Sequence, residues 1–210
     1  MKTDNRIGIA ILAAGESLRM GKVKQLLPWK NTTLLGHAIS VAHASNVGKT
    51  AVVLGANFEM ISASLATRDE FEIPSPKITI LHNHRYAEGQ GTSVSTAAQW
   101  AKDNDFGGIL LMLADQPKLN PEILFQIAPN ASEPSADISR VLVAARYGGS
   151  VGVPAFFGAA YFDELIALEG ETGAKSLLRK YADIVTEVDA PEAELDLDTE
   201  EEYKLALRQT

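Results

Sequence analysis

The chain has 210 residues, 46% hydrophobic and 22% charged, with a formal net charge of −8 and no cysteine. That length and balance fit a single α/β domain spanning 1–210 with a core of its own. The acidity argues against a nucleic-acid partner, the lack of cysteine excludes a disulfide framework and a thiolate metal site, and no apolar run is long enough for a membrane span, so a soluble cytoplasmic protein is expected.

The first expected strand, Ile7 to Ala13, empties into Ala14-Gly15-Glu16-Ser17-Leu18-Arg19-Met20-Gly21-Lys22-Val23-Lys24. Such a loop suits phosphate oxygens: Gly15 and Gly21 let the backbone come close, and Arg19, Lys22 and Lys24 supply charge-assisted donors. It is not a Walker A loop, because five residues separate Gly15 from Gly21 and Lys22 is followed by Val23. Nor is it the dinucleotide fingerprint, since Gly15 stands alone until Gly21.

A helix over Leu34 to Ala44, a strand over Thr50 to Leu54, a helix over Phe58 to Leu65 and a strand over Ile78 to Leu81 follow from the hydrophobic period. Next comes a turn, Asn83 to Ser95, in which Gly89 and Gly91 permit close backbone approach while Asn83, Gln90, Thr92 and Ser93 carry groups able to read a base edge. A plain turn with Ser93 as the N-cap of a helix from Val94 to Lys102 accounts for the same letters.

The run Ile109 to Leu113 is apolar throughout, which marks a central strand, and Asp115 falls just past its carboxyl end. A carboxylate there suits Mg²⁺, which takes one or two carboxylates and completes its shell with water and phosphate oxygens; the plainer reading is a cap for the turn at Pro117. Helices over Pro121 to Ile127, Tyr161 to Leu168, Ala174 to Tyr181 and Glu200 to Leu207, strands over Val141 to Ala145 and Ile184 to Val188, and an exposed loop over Pro129 to Ala136 complete the pattern. The alternation predicts a mostly parallel sheet covered on both faces, with ligands at the carboxyl ends of its strands. Just before the last helix, Asp196 and Asp198 alternate with leucines and so share one face, and Thr199 with Glu202 spells a capping box. A solvated helix entrance accounts for Glu200 to Glu202, which leaves the two aspartates as the functional question.

Taken together, Leu12-Ala13-Ala14-Gly15-x-Ser17-x-Arg19-Met20-Gly21-x-x-Lys24-x-Leu26-Leu27-Pro28, Leu113-Ala114-Asp115-Gln116-Pro117, Gly152-x-Pro154-x-Phe156-Phe157, Gly170-x-x-Gly173-Ala174-Lys175 and Asp196-x-Asp198-Thr199 resemble the MobA-like nucleotidyltransferase family, and particularly its molybdenum cofactor cytidylyltransferase branch. The resemblance implies a Rossmann-like three-layer sandwich of the nucleotide-diphospho-sugar transferase type and transfer of CMP from CTP to the terminal phosphate of molybdopterin, with Mg²⁺ as cofactor. It places Leu12, Ala13, Ala14 and Gly15 against the nucleotide, Arg19 and Lys24 on its phosphates, and Asp115 and Asp198 on the metal; Asn83, Gly91 and Ser93 are expected at the nucleotide from the chemistry of their own turn. A molybdoenzyme chaperone would be a partner. Two departures, Val153 in Gly152-Val153-Pro154 and the Trp29-Lys30-Asn31 turn, bear on the acceptor. Guanylyl transfer, another phosphorylated acceptor such as a sugar phosphate or phospholactate-like acid, and a catalytically silent nucleotide-binding regulator stay open as rivals.

Overall fold

The computed structural model describes residues 4–17, 20–66, 78–129 and 137–208. Arg19 and residues 130–136 of the expected exposed loop lie outside the described residues. In chain order the strands are β1 (Asp4–Ala13), β2 (Pro28–Trp29), β3 (Thr32–Thr33), β4 (Lys49–Leu54), β5 (Ile78–His82), β6 (Phe106–Leu113), β7 (Leu142–Tyr147), β8 (Ser150–Gly158) and β9 (Thr186–Asp189). The helices are α1 (Leu34–Ala44), α2 (Phe58–Ala66), α3 (Gln90–Asp103), α4 (Pro121–Ile127), α5 (Phe162–Ile166), α6 (Lys175–Lys180) and α7 (Glu200–Arg208).

Seven strands form one sheet in the order β5-β4-β1-β6-β8-β7-β9, and β2 and β3 make a separate hairpin. β5, β4, β1 and β6 pair in parallel; β8 runs against both β6 and β7, and β9 is parallel to β7. The alternation of β1 shows why the sheet is covered twice. Ile7, Ile9 and Ile11 pack with α1 and α4 on one face, through Leu35, Ile39, Leu124 and Ile127, whereas Ala10 faces Val94, Ala97 and Ala101 of α3 on the other. On its α3 side β1 is small, and a Cβ at Gly8 would strike the rings of Phe106 and Trp100 at 2.7–2.8 Å. A Cβ at Gly108 would strike the ring of Phe156, a residue with no solvent exposure.

Sequence periodicity finds every strand of the large sheet except β8. Gly152 and Pro154 argue against a central strand, because proline cannot donate to a ladder and glycine packs nothing. The structure resolves the conflict with a bulge: Ala144 pairs with Ala155 but Ala145 pairs with Gly152, so Val153 and Pro154 fall in the irregularity. A smaller cluster of Met20, Leu27, Trp29, Leu34, Leu197 and Ala206 fastens the β2–β3 hairpin and α7 to the rest. The Trp29-Lys30-Asn31 turn manages without glycine by placing Lys30 at φ 49°.

Candidate active site

A cleft of about 700 Å³ opens at the carboxyl end of β1 and β6. Its floor is Leu12, Ala13, Ala14 and Gly15, and its walls include Ser17, Lys24, Tyr86, Gln90, Ser93, Asp115, Glu171 and Asp198. Ten residues singled out from the sequence thus converge: Leu12, Ala13, Ala14, Gly15, Lys24, Gly89, Gln90, Ser93, Asp115 and Asp198. Gly15 is not there for internal packing, since a Cβ added to it would meet no atom within 4 Å. Its lack of a side chain keeps the cleft open.

The loop after β1 is shaped from within. Gln25 is 5% exposed, and its Nε2 donates to the carbonyls of Ala13 at 2.8 Å and Gly15 at 3.0 Å. Ser17, at φ 57°, accepts from the Lys24 amide through its hydroxyl at 3.3 Å. Buried carbonyls need donors, and here one side chain satisfies two of them while fixing the curvature of the loop. Gln25 was not visible in the sequence as a site residue, because a glutamine among leucines gives no periodic signal.

Lys24 joins the two sides of the cleft. Its Nζ lies 2.6 Å from Asp115 Oδ2 and 3.0 Å from Asp198 Oδ1, with the three side chains 15%, 22% and 49% exposed. Burial pushes the ammonium pKa down, but the charges and hydrogen bonds of Asp115 and Asp198 outweigh it, and the net shift is upward from 10.5. Lys24 is therefore a fixed cation, not a base. Asp196, beside them and exposed, is pushed up to about 6 by desolvation and by the like charges of Asp115 and Asp198, against Lys24 and the Gln116 amide. The other oxygen of Asp115, Oδ1, is buried without a hydrogen-bond partner, as is Gln116 Oε1.

The capping box forms as spelled: Glu202 N–H donates to Thr199 Oγ1 at 3.2 Å, and Glu202 Oε2 accepts from the amides of Asp198 and Thr199 at 2.8 Å each. This holds the backbone of Asp198 at the entrance of α7. Lys22, named from sequence as a phosphate-loop cation, instead pairs with Glu200 at 3.2 Å and stays outside the cleft.

Two residues of the third segment, Asn83 and Gly91, lie away from the cleft. Asn83 is 3% exposed, its Nδ2 donates to Thr92 Oγ1 and Ser93 Oγ at 2.9 and 3.0 Å, and its Oδ1 accepts from the Arg85 amide. With its amide committed, Asn83 braces the turn and does not line the cleft. Gly91 does not line it either: a Cβ there would press on the carbonyls of Glu169 and Thr172 at 2.8–2.9 Å, so this glycine serves packing. Helix α3 begins at Gln90 with Gly89 as N-cap, at φ 119°, and Ser93 lies inside it. Gly89, Gln90 and Ser93 of the same turn do line the cleft, together with Tyr86.

The donor set tests whether a hard divalent cation fits. Asp115 offers a buried, unpartnered carboxylate oxygen, and Asp198 stands opposite across Lys24. Among the described residues no group of three or more His, Cys, Asp or Glu is placed to hold a metal ion. A pair of carboxylates suits an ion whose remaining ligands are water and substrate phosphate, and so the residues fit.

Comparison with known proteins finds relatives that span the chain. The purine catabolism protein PucB of Bacillus subtilis is 33% identical over 99% of this chain and 98% of its own length. A nicotine blue oxidoreductase of Paenarthrobacter nicotinovorans is 29% identical over 93% and 94%. The molybdenum cofactor cytidylyltransferase of Escherichia coli is 31% identical over 58% of this chain and 57% of its own. The crystal structure of Rv0371c from Mycobacterium tuberculosis in complex with manganese superposes with a TM-score of 0.71 at 27% identity, covering 98% of this chain and 100% of that one. Residues 9–185 match the MobA-like NTP transferase domain, and by that match the chain belongs to the MobA-like NTP transferase family.

Proposed function

We propose that the protein transfers CMP from CTP to the terminal phosphate of molybdenum cofactor, releasing pyrophosphate, with Mg²⁺ bound by Asp115 and Asp198. The observation that carries the reading is the Lys24 ammonium, locked between two carboxylates at the edge of a cleft floored by Leu12 to Gly15. The similarity to the Escherichia coli cytidylyltransferase supports the cytidylyl and acceptor assignment, and Ala14 resembles the Leu-Ala-Ala-Gly form of cytidylyltransferases, where guanylyltransferase relatives often carry a second glycine.

The chemistry needs few groups. An acceptor phosphate with a second pKa of about 6 is already anionic at neutral pH, so its oxygen attacks the α-phosphorus without losing a proton. The new P–O bond forms as the bond from the α-phosphorus to the bridging oxygen breaks, and pyrophosphate leaves with the electron pair. Lys24, held charged, neutralises the charge that develops on the phosphoryl oxygens, and Arg19 is assigned to the same phosphates. Gly15 and the Gln25-braced carbonyls hold the nucleotide against the strand end, and Ser93 reaches the same cleft from α3. The described wall is acidic, with Glu16, Asp115, Glu171 and Asp198 against Lys24, so a bare triphosphate would be repelled. Asp115 and Asp198 would hold a divalent ion, which would supply the missing positive charge.

Incubation with CTP or GTP, Mg²⁺ and molybdenum cofactor, reading pyrophosphate and the dinucleotide, tests the assignment. CTP should be preferred by about 10- to 200-fold in kcat/KM, the discrimination a methyl-sized difference in a tight pocket provides. A kcat/KM for GTP equal to that for CTP, or product only with a sugar phosphate, sinks the reading.

A further inference from the structure

We propose that Gln116 is a positioning residue that sets the placement of Asp198 relative to Asp115, and through it the hold of the site on a divalent cation. The proposal rests on the metal role given above to those carboxylates. Strand β9 ends at Asp189, so the segment that carries Asp198 leaves the sheet nine residues before it reaches the site. Its attachment is therefore made by side chains and isolated backbone bonds. Gln116 Nε2 donates to the Ala193 carbonyl at 2.8 Å and to the Val153 carbonyl of β8 at 3.2 Å. The Leu197 amide donates to the Asp115 carbonyl at 3.2 Å, and the Leu197 side chain is fully buried against Met20, Leu27, Trp29 and Leu34.

Two consecutive residues at the end of β6 thus do two jobs. Asp115 presents one carboxylate and grips Leu197, whose neighbour Asp198 presents the other; Gln116 pins the start of the same span to the antiparallel strand beside it. As a space filler Gln116 is a poor choice. It is 3% exposed and its Oε1 is buried without a partner, a cost that a methionine of similar volume would avoid. What distinguishes it from methionine is its amide donors: two bonds end on segments that frame the carboxylates, and the amide also reaches Asp196 on the span that carries Asp198. Outer residues that orient metal-binding carboxylates change metal affinity without touching the ion.

The test uses the full chain and Mn²⁺ without nucleotide, with free Mn²⁺ read by electron paramagnetic resonance, alongside thermal melts and steady-state kinetics. Gln116→Met keeps the length and loses both donors; Gln116→Asn keeps donors but falls one methylene short. Gln116→Met should melt cooperatively, bind Mn²⁺ about 10- to 100-fold more weakly, and lose kcat mainly at low metal while the KM for CTP at saturating metal stays at the parent's value. Gln116→Asn should fall between it and the parent, and decides the matter if Gln116→Met does not fold. Parental Mn²⁺ affinity in a folded variant overturns the proposal, and so does loss of cooperative melting in both, which would make Gln116 a determinant of stability alone. Asp115→Asn measured in parallel separates the two readings. If Asp115→Asn abolishes Mn²⁺ binding and Gln116→Met leaves it intact, only the positioning role fails; if Asp115→Asn also binds as the parent does, the metal role fails with it.

Discussion

The cleft has two buried glutamines, and they hold its opposite sides by different means. Gln25 satisfies the carbonyls of Ala13 and Gly15, ten to twelve residues away in the chain, and so curves a loop that carries its own cation. Gln116 reaches Ala193, 77 residues away, and fastens a segment that has already left the sheet. The nucleotide side is thus a local structure on a parallel strand end, whereas the carboxylate side is assembled from β6, β8 and the approach to α7. Local bracing survives small displacements elsewhere; long-range bracing passes them on to the site.

Lys24, where the two sides meet, gives the largest expected effect. Lys24→Ala should leave the fold intact and cut kcat by roughly 10²-fold or more, because a fixed cation at developing charge is worth several kcal/mol. A near-parental kcat would remove it from the mechanism. Asp198→Ala sharpens the contrast: kcat should fall well beyond any change in nucleotide affinity, since phosphate and base contacts lie on the other side of the cleft. If nucleotide affinity fell as far as kcat, the two sides would not be separable.

Gln25→Met should do the reverse. Leaving the buried Ala13 carbonyl without its donor costs about 1–3 kcal/mol, and the loosened loop should raise the KM for CTP by roughly tenfold with kcat less affected and Mn²⁺ binding unchanged. A kcat defect without a KM change would place Gln25 on the carboxylate side instead. The smallest effect is expected for Asp196→Ala, whose carboxylate shares the acidic group but makes no ion pair with Lys24, unlike Asp198. Greater damage from Asp196→Ala than from Asp198→Ala, read as kcat in the same assay, would exchange their roles.

The sequence by itself determined the parallel half and its loop. Strands β1, β4, β5 and β6 are apolar runs of ordinary length, Gly15 and Lys24 sit at a strand end, and the Thr199–Glu202 capping box that fixes Asp198 forms between near neighbours. Such features depend on contacts within a dozen residues, and so they appear as spacing. Only the tertiary structure decided the rest. β8 hides behind Gly152 and Pro154 because its bulge exists only opposite β7. Asn83, Gly91 and Gln90 share one turn and suitable chemistry, yet hydrogen bonding inside the turn buries Asn83 and packing on residues 169–172 occupies Gly91, while Gln90 lines the cleft beside Tyr86. Gln116 follows Asp115 directly, but its partners, Val153 and Ala193, are neighbours only after the sheet has closed. Hydrophobic period records which side of an element is buried; it carries no record of which distant carbonyl a buried amide will find.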